Sequence, residues 1–325
     1  MPASSRPDAR DLLLLLRHQT SHLVKPSSPA PDREAYLQGL LLASVAAVFF
    51  SGKAIVAKLL YREGIDAITL IALRMLLSLP IFMLIALLSW RRAPRLTIGD
   101  LWRIPLLGLL GYYVSSTLDF LGLETISVGL ERLILFLTPS FVILMGVLRY
   151  QRRGESRQWQ SLLLAYSGIV LVFWHDSRFG GQGILLGTSL VLLAALSYAL
   201  YLLLSGELVR RVGSLRLTAL AMCAASLAAL AQYATLHPFG SLFTQTTAGW
   251  ELSLLNATAC TVLPVFLTMT AVARIGADRA SQASMIGPVS TLLLGWWLLD
   301  EAASPLQIAG AALVMAGIYR LSQRT

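Results

Sequence analysis

Residues 37–60 read LQGLLLASVAAVFFSGKAIVAKLL, an apolar run broken by polar side chains only at Gln38, Ser44, Ser51, Lys53 and Lys58. A helix through this run rises about 1.5 Å per residue and is about 36 Å long. That exceeds the roughly 20 residues needed to cross a bilayer core. Working outward, the same pattern recurs near residues 66–90, 101–122, 127–148, 159–174, 183–206, 214–236, 250–273, 280–299 and 304–321, which makes ten spans. The joints carry turn and helix-start residues: Gly64, Asp100, Gly180-Gly181, and Pro305 at a first turn where its missing N–H costs little. Barrel strands would show as short alternating segments, and these runs are long and continuous. The chain therefore reads as an all-α polytopic membrane protein.

Composition agrees. Of 325 residues 56% are hydrophobic, about 63% with the 24 glycines, and only 13% are charged. Soluble domains counted the same way run near 45–50% and about 25%. A water-soluble enzyme, a disordered chain and a disulfide scaffold are excluded on those numbers. Cys223 and Cys260 lie in apolar runs and read as packing residues. The net charge of +9 could signal nucleic acid, but orientation explains it first. With the N-terminus in the cytoplasm, twenty of the 26 Lys and Arg fall in the tail and loops of that side. Only Lys58, Arg62 and Arg178 fall on the other, and Lys53, Arg74 and Arg132 remain inside helices. This is the positive-inside rule, and it predicts both termini in the cytoplasm of an inner or plasma membrane, with no nucleic acid partner. Residues 1–36 hold Pro2, Pro7, Pro26, Pro29 and Pro31 and read as a disordered cytosolic tail. Leu12 to Leu16 is too short for a signal-peptide core.

The chain also matches itself. Gly39, Ala46 and Ala47 fall on Gly187, Ala194 and Ala195 at an offset of 148, and Ala72 and Met75 on Ala219 and Met222 at 147. Pro139, Gly146, Gln158, Gly168 and Ile169 fall on Pro288, Gly295, Gln307, Gly317 and Ile318 at 149. Each half, 37–174 and 183–321, then has five spans. An odd number makes the second half enter the membrane in the opposite sense. Inverted repeats of this kind characterise transporters, with the substrate site near the midplane between the halves.

At this point the sequence resembles a known family. The start of span one, Gly39-Leu-Leu-Leu-Ala-Ser-Val-Ala-Ala, carries the likeness with Leu73-Arg74 in span two. So do Gly287-Pro288, Leu298-Leu299-Asp300-Glu301 and Gln307-Ile308-Ala309-Gly310. Together they resemble the drug/metabolite transporter superfamily, EamA-like branch, over about residues 37–322. The resemblance implies a secondary carrier working by alternating access that exports amino acids or similar zwitterionic or amphipathic compounds. A multidrug or other metabolite permease of the same architecture is the alternative it leaves. The first half departs from the pattern: Arg152 stands opposite Glu301, with Glu155 three residues on.

Charges at membrane depth cost about 2.5–3.5 kcal/mol each and need a reason. Lys53, Arg74, Asp119, Glu131 and Arg132 are such charges, and all five lie in the first repeat. They predict a charged, solvated vestibule in the outer half. As a binding site, Lys53 or Arg74 would hold a carboxylate or phosphate, and Asp119 or Glu131 an amine or coupling proton. As packing devices, Asp119–Arg132 and Glu131–Arg74 would be ion pairs and Lys53 would snorkel outward. The resemblance implies that a span-two arginine accompanies varied substrates, which favours packing for Arg74.

The second repeat offers neutral groups: Ser197, Tyr198 and Tyr201, then Asn256, Thr258 and Thr261, then Ser281, Gln282 and Ser284. Ser and Thr bond back to their own helix cheaply; Asn256 cannot, and it joins Tyr198 as a candidate substrate contact. Tyr112 and Tyr113 would stack on a ligand or anchor at the lipid interface. Pro139 and Pro288 interrupt spans four and nine at equivalent depths, as fixed kinks or as hinges. Gly310, Ala312, Ala316 and Gly317 suit helix packing within the chain or a homodimer face. His18 and His22 lack a metalloprotease context, there is no Walker sequence, and neither metal nor cofactor is implied. A channel or an intramembrane enzyme is the reading from a different class. It would require acidic rings, a carbonyl filter or paired catalytic groups, which the spans do not present.

Overall fold

The computed structural model describes residues 33–90, 96–150, 156–179, 183–301 and 304–322. The expected tail over residues 1–32, with His18 and His22, and the Arg152 and Glu155 positions lie outside them, as does the Ser281 side chain.

Ten helical elements follow one another: α1 Arg33–Arg62, α2 Ala67–Trp90, α3 Ile98–Leu123, α4 Val128–Leu135 continuing as Thr138–Tyr150, and α5 Ser156–Phe179. The second set is α6 Ile184–Val212, α7 Ser214–Leu236, α8 Thr247–Ile275, α9 Ala277–Ala283 continuing as Gly287–Leu299, and α10 Pro305–Ser322. Among the described residues there is no strand. Seven helices, α1–α4 and α6–α8, are long and apolar enough to cross a bilayer, and α9 adds a shorter apolar segment.

The packing is symmetric under exchange of the halves. α1 packs on α8 as α6 packs on α3, and α1 meets α9 as α6 meets α4. α2 meets its own counterpart α7, α4 meets α9, and α5 meets α10. Gly39 of α1 lies against Ile275, and Gly52 against Cys260, so α1 and α8 run antiparallel. The pairing is what two inverted five-helix repeats require, and the halves are interleaved: each first helix lies on the other half's third.

Close approach between helices depends on glycine, because lipid tails provide no hydrophobic drive to press helices together. A Cβ on Gly168 would stand 2.5 Å from the Gly310 carbonyl oxygen, and one on Gly317 would stand 2.6 Å from that of Ser161. These are symmetry mates. They settle Gly310 and Gly317 in packing α10 on α5 within the chain, while Ala312 and Ala316 face outward.

Two pairs of irregularities repeat at matching positions. α3 contains a π-helical turn over Leu109–Val114, and α8 one over Thr258–Val262. α4 breaks at Phe136 and Leu137, and α9 at a 3-10 turn over Ser284–Ile286. Pro139 and Pro288 are not mid-helix kinks as the sequence reading had them. Each sits in the first turn of the restarting helix, where no N–H is required. The break precedes the proline.

Candidate functional site

The ends of the bundle differ in charge, and the arginine-poor end is the one where the chain turns at residues 63–66 and 124–127 and where α9 ends at Leu299. Just below it, three helices bring charges together. Lys53 of α1 extends its Nζ to 2.5 Å from Asp119 Oδ2 of α3 and 3.6 Å from Glu131 Oε1 of α4. Phe120 lies under two cations, with Lys53 Nζ 5.1 Å and Arg74 Cζ 4.9 Å from its ring centre. Arg74 Nη2 donates to Ser116 Oγ at 2.9 Å. Glu131 is 0% exposed, Asp119 2% and Arg74 6%. Among the described residues, both Glu131 carboxylate oxygens, Asp119 Oδ1, Arg74 Nε and Arg132 Nε have no hydrogen-bond partner. Buried unpaired polar atoms cost about 1–3 kcal/mol each, more when charged. The cluster is thus built with capacity to spare.

Three expectations are corrected here. Asp119–Arg132 and Glu131–Arg74 do not pair, because the Lys53 amine reaches both acids from α1. Arg132 follows Glu131 directly, so the helix turns it about 100° away. It lies over Phe136, 5.7 Å from its ring, and against the α9 break. There a Cβ on Gly287 would stand 2.8 Å from Arg132 Nη2, and the Gly287 carbonyl accepts from Ser51 Oγ at 2.9 Å and Thr291 Oγ1 at 3.1 Å. Lys53 does not snorkel outward. The vestibule is closed and desolvated in this conformation, not solvated.

Ser116, Phe120 and the Gly287 carbonyl were missed by the sequence reading. Ser116 and Phe120 could have been found, since both lie within a turn of Asp119.

The tyrosines form a second cluster. Tyr198 and Tyr201 of α6 stack at 5.6 Å, and Tyr112 of α3 meets them edge-on at 6.4 and 5.1 Å. The Tyr112 and Tyr201 hydroxyls are 3.1 Å apart. Tyr112 is therefore a packing partner between helices, not a lipid-interface anchor. Ser197 bridges rather than bonding back: its hydroxyl donates to the Leu110 carbonyl in the π turn at 2.8 Å. Thr258 and Thr261 bond back as expected, at 2.6 and 2.9 Å. Asn256 is 0% exposed, and neither side-chain amide atom has a hydrogen-bond partner among the described residues.

Each end carries a polar lock. At the arginine-poor end Arg62 Nη2 donates to Leu299 O at 2.6 Å, and Glu301 Oε2 accepts the Val128 N–H that opens α4 at 3.3 Å. Asp176 there accepts from Ser127 Oγ at 2.5 Å and from Gln307 Nε2 at 3.0 Å. Burial pushes the Glu301 carboxyl above the usual range, against the pull of Lys58. At the other end Arg211 holds Asp100 through both carboxylate oxygens, and Asp100 Oδ2 also accepts the Thr97 N–H at 2.7 Å. Among the described residues no group of histidines, cysteines and acids could hold a metal.

Ten interleaved helices in inverted halves, with a charged cluster buried between them, define an integral membrane transport protein. The EamA-like transporter family model matches residues 37–174 and again 185–323, and the chain belongs to that family. It is 31% identical to "Uncharacterized transporter YcbK" of Bacillus subtilis over 88% of this chain and 93% of that one. It is 26% identical to the "Probable amino-acid metabolite efflux pump" of Escherichia coli over 67% of this chain and 77% of that one. A solved structure titled only as a crystal structure of a protein shares the fold, with a TM-score of 0.62 at 16% identity, covering 87% of this chain and 96% of the other.

Proposed function

We propose that the chain is a secondary carrier that exports small zwitterionic or amphipathic metabolites, amino acids among them, by alternating access. The reading places it in the inner or plasma membrane with both termini in the cytoplasm and the arginine-poor end outside. The repeats at 37–174 and 183–321 act as the two moving halves, and the breaks before Pro139 and Pro288 are their hinges. Membership of a transporter family supports it, as do the name of the Escherichia coli relative and the distribution of arginine.

One observation carries the chemistry: a single lysine serves two buried carboxylates, with Arg74 against the same Phe120 ring as that lysine. Glu131 has two oxygens for an ammonium or a proton, and Arg74 and Arg132 each keep an Nε–H for a carboxylate. A zwitterion presents both groups. Its arrival would compete with Lys53 for Glu131, loosening α1 from α4 and opening the closed end.

The test is counterflow of radiolabelled amino acids in proteoliposomes, with wild type beside Lys53→Ala and Glu131→Gln. The reading expects saturable counterflow in the wild type and a loss of about 100-fold or more in both variants. Single-channel currents, or variants that transport at the wild-type rate, would overturn it.

A further inference from the structure

Ser253 and Asn256 lie one turn apart on one face of α8 and are 1% and 0% exposed. Among the described residues, Ser253 Oγ, Asn256 Oδ1 and Asn256 Nδ2 all lack hydrogen-bond partners. Buried amides and hydroxyls are almost always bonded, so three unmet atoms on one face require an explanation. The neighbouring threonines do not supply it. Thr261 takes the Asn256 backbone carbonyl, and Thr258 that of Leu254.

The other repeat sharpens the point. The counterpart of Asn256, at the offset of 149 that matches the two π turns, is Leu107, and that of Ser253 is Ile104. One repeat fills this face with apolar side chains that pack in a cluster with Tyr201, Leu208 and Leu217. The other lines it with a carboxamide and a hydroxyl.

Position connects the face to the charged cluster. α8 runs antiparallel to α1, and Cys260 stands opposite Gly52, within electrostatic reach of Arg74 and Lys53. Asn256 lies one turn of α8 further toward the arginine-poor end. A carboxamide and a hydroxyl together offer donors and acceptors but no charge. They suit a neutral group that both donates and accepts.

We propose that Asn256 and Ser253 form a neutral subsite for a hydroxyl or carboxamide of the molecule whose charged groups bind at Lys53, Arg74 and Glu131. This rests on the carrier reading above. A bound water is the other source of the same chemistry, and the experiment separates the two.

Full-length protein in detergent is titrated by thermal shift with L-alanine against L-serine, L-valine against L-threonine, and L-methionine against L-glutamine. In the wild type the hydroxyl or amide member of at least one pair should bind about 10-fold tighter or more, as expected of a site built to hydrogen-bond its ligand. Asn256→Leu should abolish that preference while keeping affinity for the apolar member. Ser253→Ala, which removes one oxygen and little volume, should reduce it, so a poorly folding leucine variant does not decide the matter. Lys53→Ala should weaken both members equally; if it does not, the carrier reading fails while the subsite stands. A preference that survives Asn256→Leu and Ser253→Ala overturns the subsite. So does a leucine variant that only melts higher with its preference unchanged, the mark of bound water alone. No preference in any wild-type pair overturns it too, and no binding of any probe overturns both readings.

Discussion

The two repeats share one backbone plan and differ in chemistry. In the first, Lys53, Arg74, Asp119 and Glu131 gather under Phe120. At the corresponding offsets the second carries Tyr201, Ala221, Thr268 and Ala280. The second repeat builds the same helix contacts, the same π turn and the same broken helix without a charge among those positions. The fold therefore does not need the charges. Their cost in the bilayer must be met by something only the first repeat does, and binding is the use that its unpartnered oxygens and N–H groups fit.

The comparison breaks most visibly at Lys53. Lys53→Ala leaves two carboxylates buried without their cation, and removing one partner of a buried pair costs about 3–5 kcal/mol. A large fall in melting temperature is expected. The double variant Lys53→Ala with Asp119→Ala should recover part of it. Equal melting of all three proteins would show the cluster to be ionically idle. Next comes the shared scaffold: Gly310→Val drives a side chain into the α5 backbone, and overpacking should cost about 1–3 kcal/mol whatever the charge. Gly168→Val and Gly317→Val change a pair of symmetry mates, each facing the backbone of the other helix, and should cost about as much; a harmless outcome at one of these two would break the symmetry argument.

Smaller effects sharpen the ends. Asp100→Ala removes a helix cap and the Arg211 pair at once. Because the Arg211 side chain is partly exposed, only a modest fall in melting temperature is expected. The smallest effect concerns pH. Burial holds the Glu301 pKa above its ordinary value, so the folded protein binds that proton more tightly than the unfolded chain. Its contribution is fully present below the ordinary carboxylate range and is lost as pH rises through the raised value. Glu301→Gln should flatten that slope in melting temperature plotted against pH. A slope that survives belongs to another group.

Much of this was legible in the residues. Apolar runs long enough to cross a bilayer give helices because no other open structure satisfies the backbone in lipid. The offset near 148 between Gly, Pro and Gln positions reported the duplication. The five internal charges stood out because each is expensive. The partners did not. Lys53 is 66 residues from Asp119 and has no acid beside it in sequence, so its pairing depended on which helices α1 touches. Pro139 and Pro288 marked the right depth but the wrong mechanism, since a proline reads alike mid-helix or at a restart. The π turns left no sequence signal: Leu109–Val114 reads LLGYYV and Thr258–Val262 reads TACTV.

By itself, then, the sequence determined the membrane environment, the number of spans, the duplication and which charges are out of place. Each of those depends on local composition or on the period of the chain. Only the tertiary structure decided that Lys53 and not Arg74 serves the acids, that Tyr112 faces a tyrosine pair, and that Gly310 packs on α5. It also decided that, among the described residues, Asn256 is left unpaired where Leu107 packs in an apolar cluster. Those outcomes depend on how helices remote in sequence are interleaved, and side-chain type alone does not encode that.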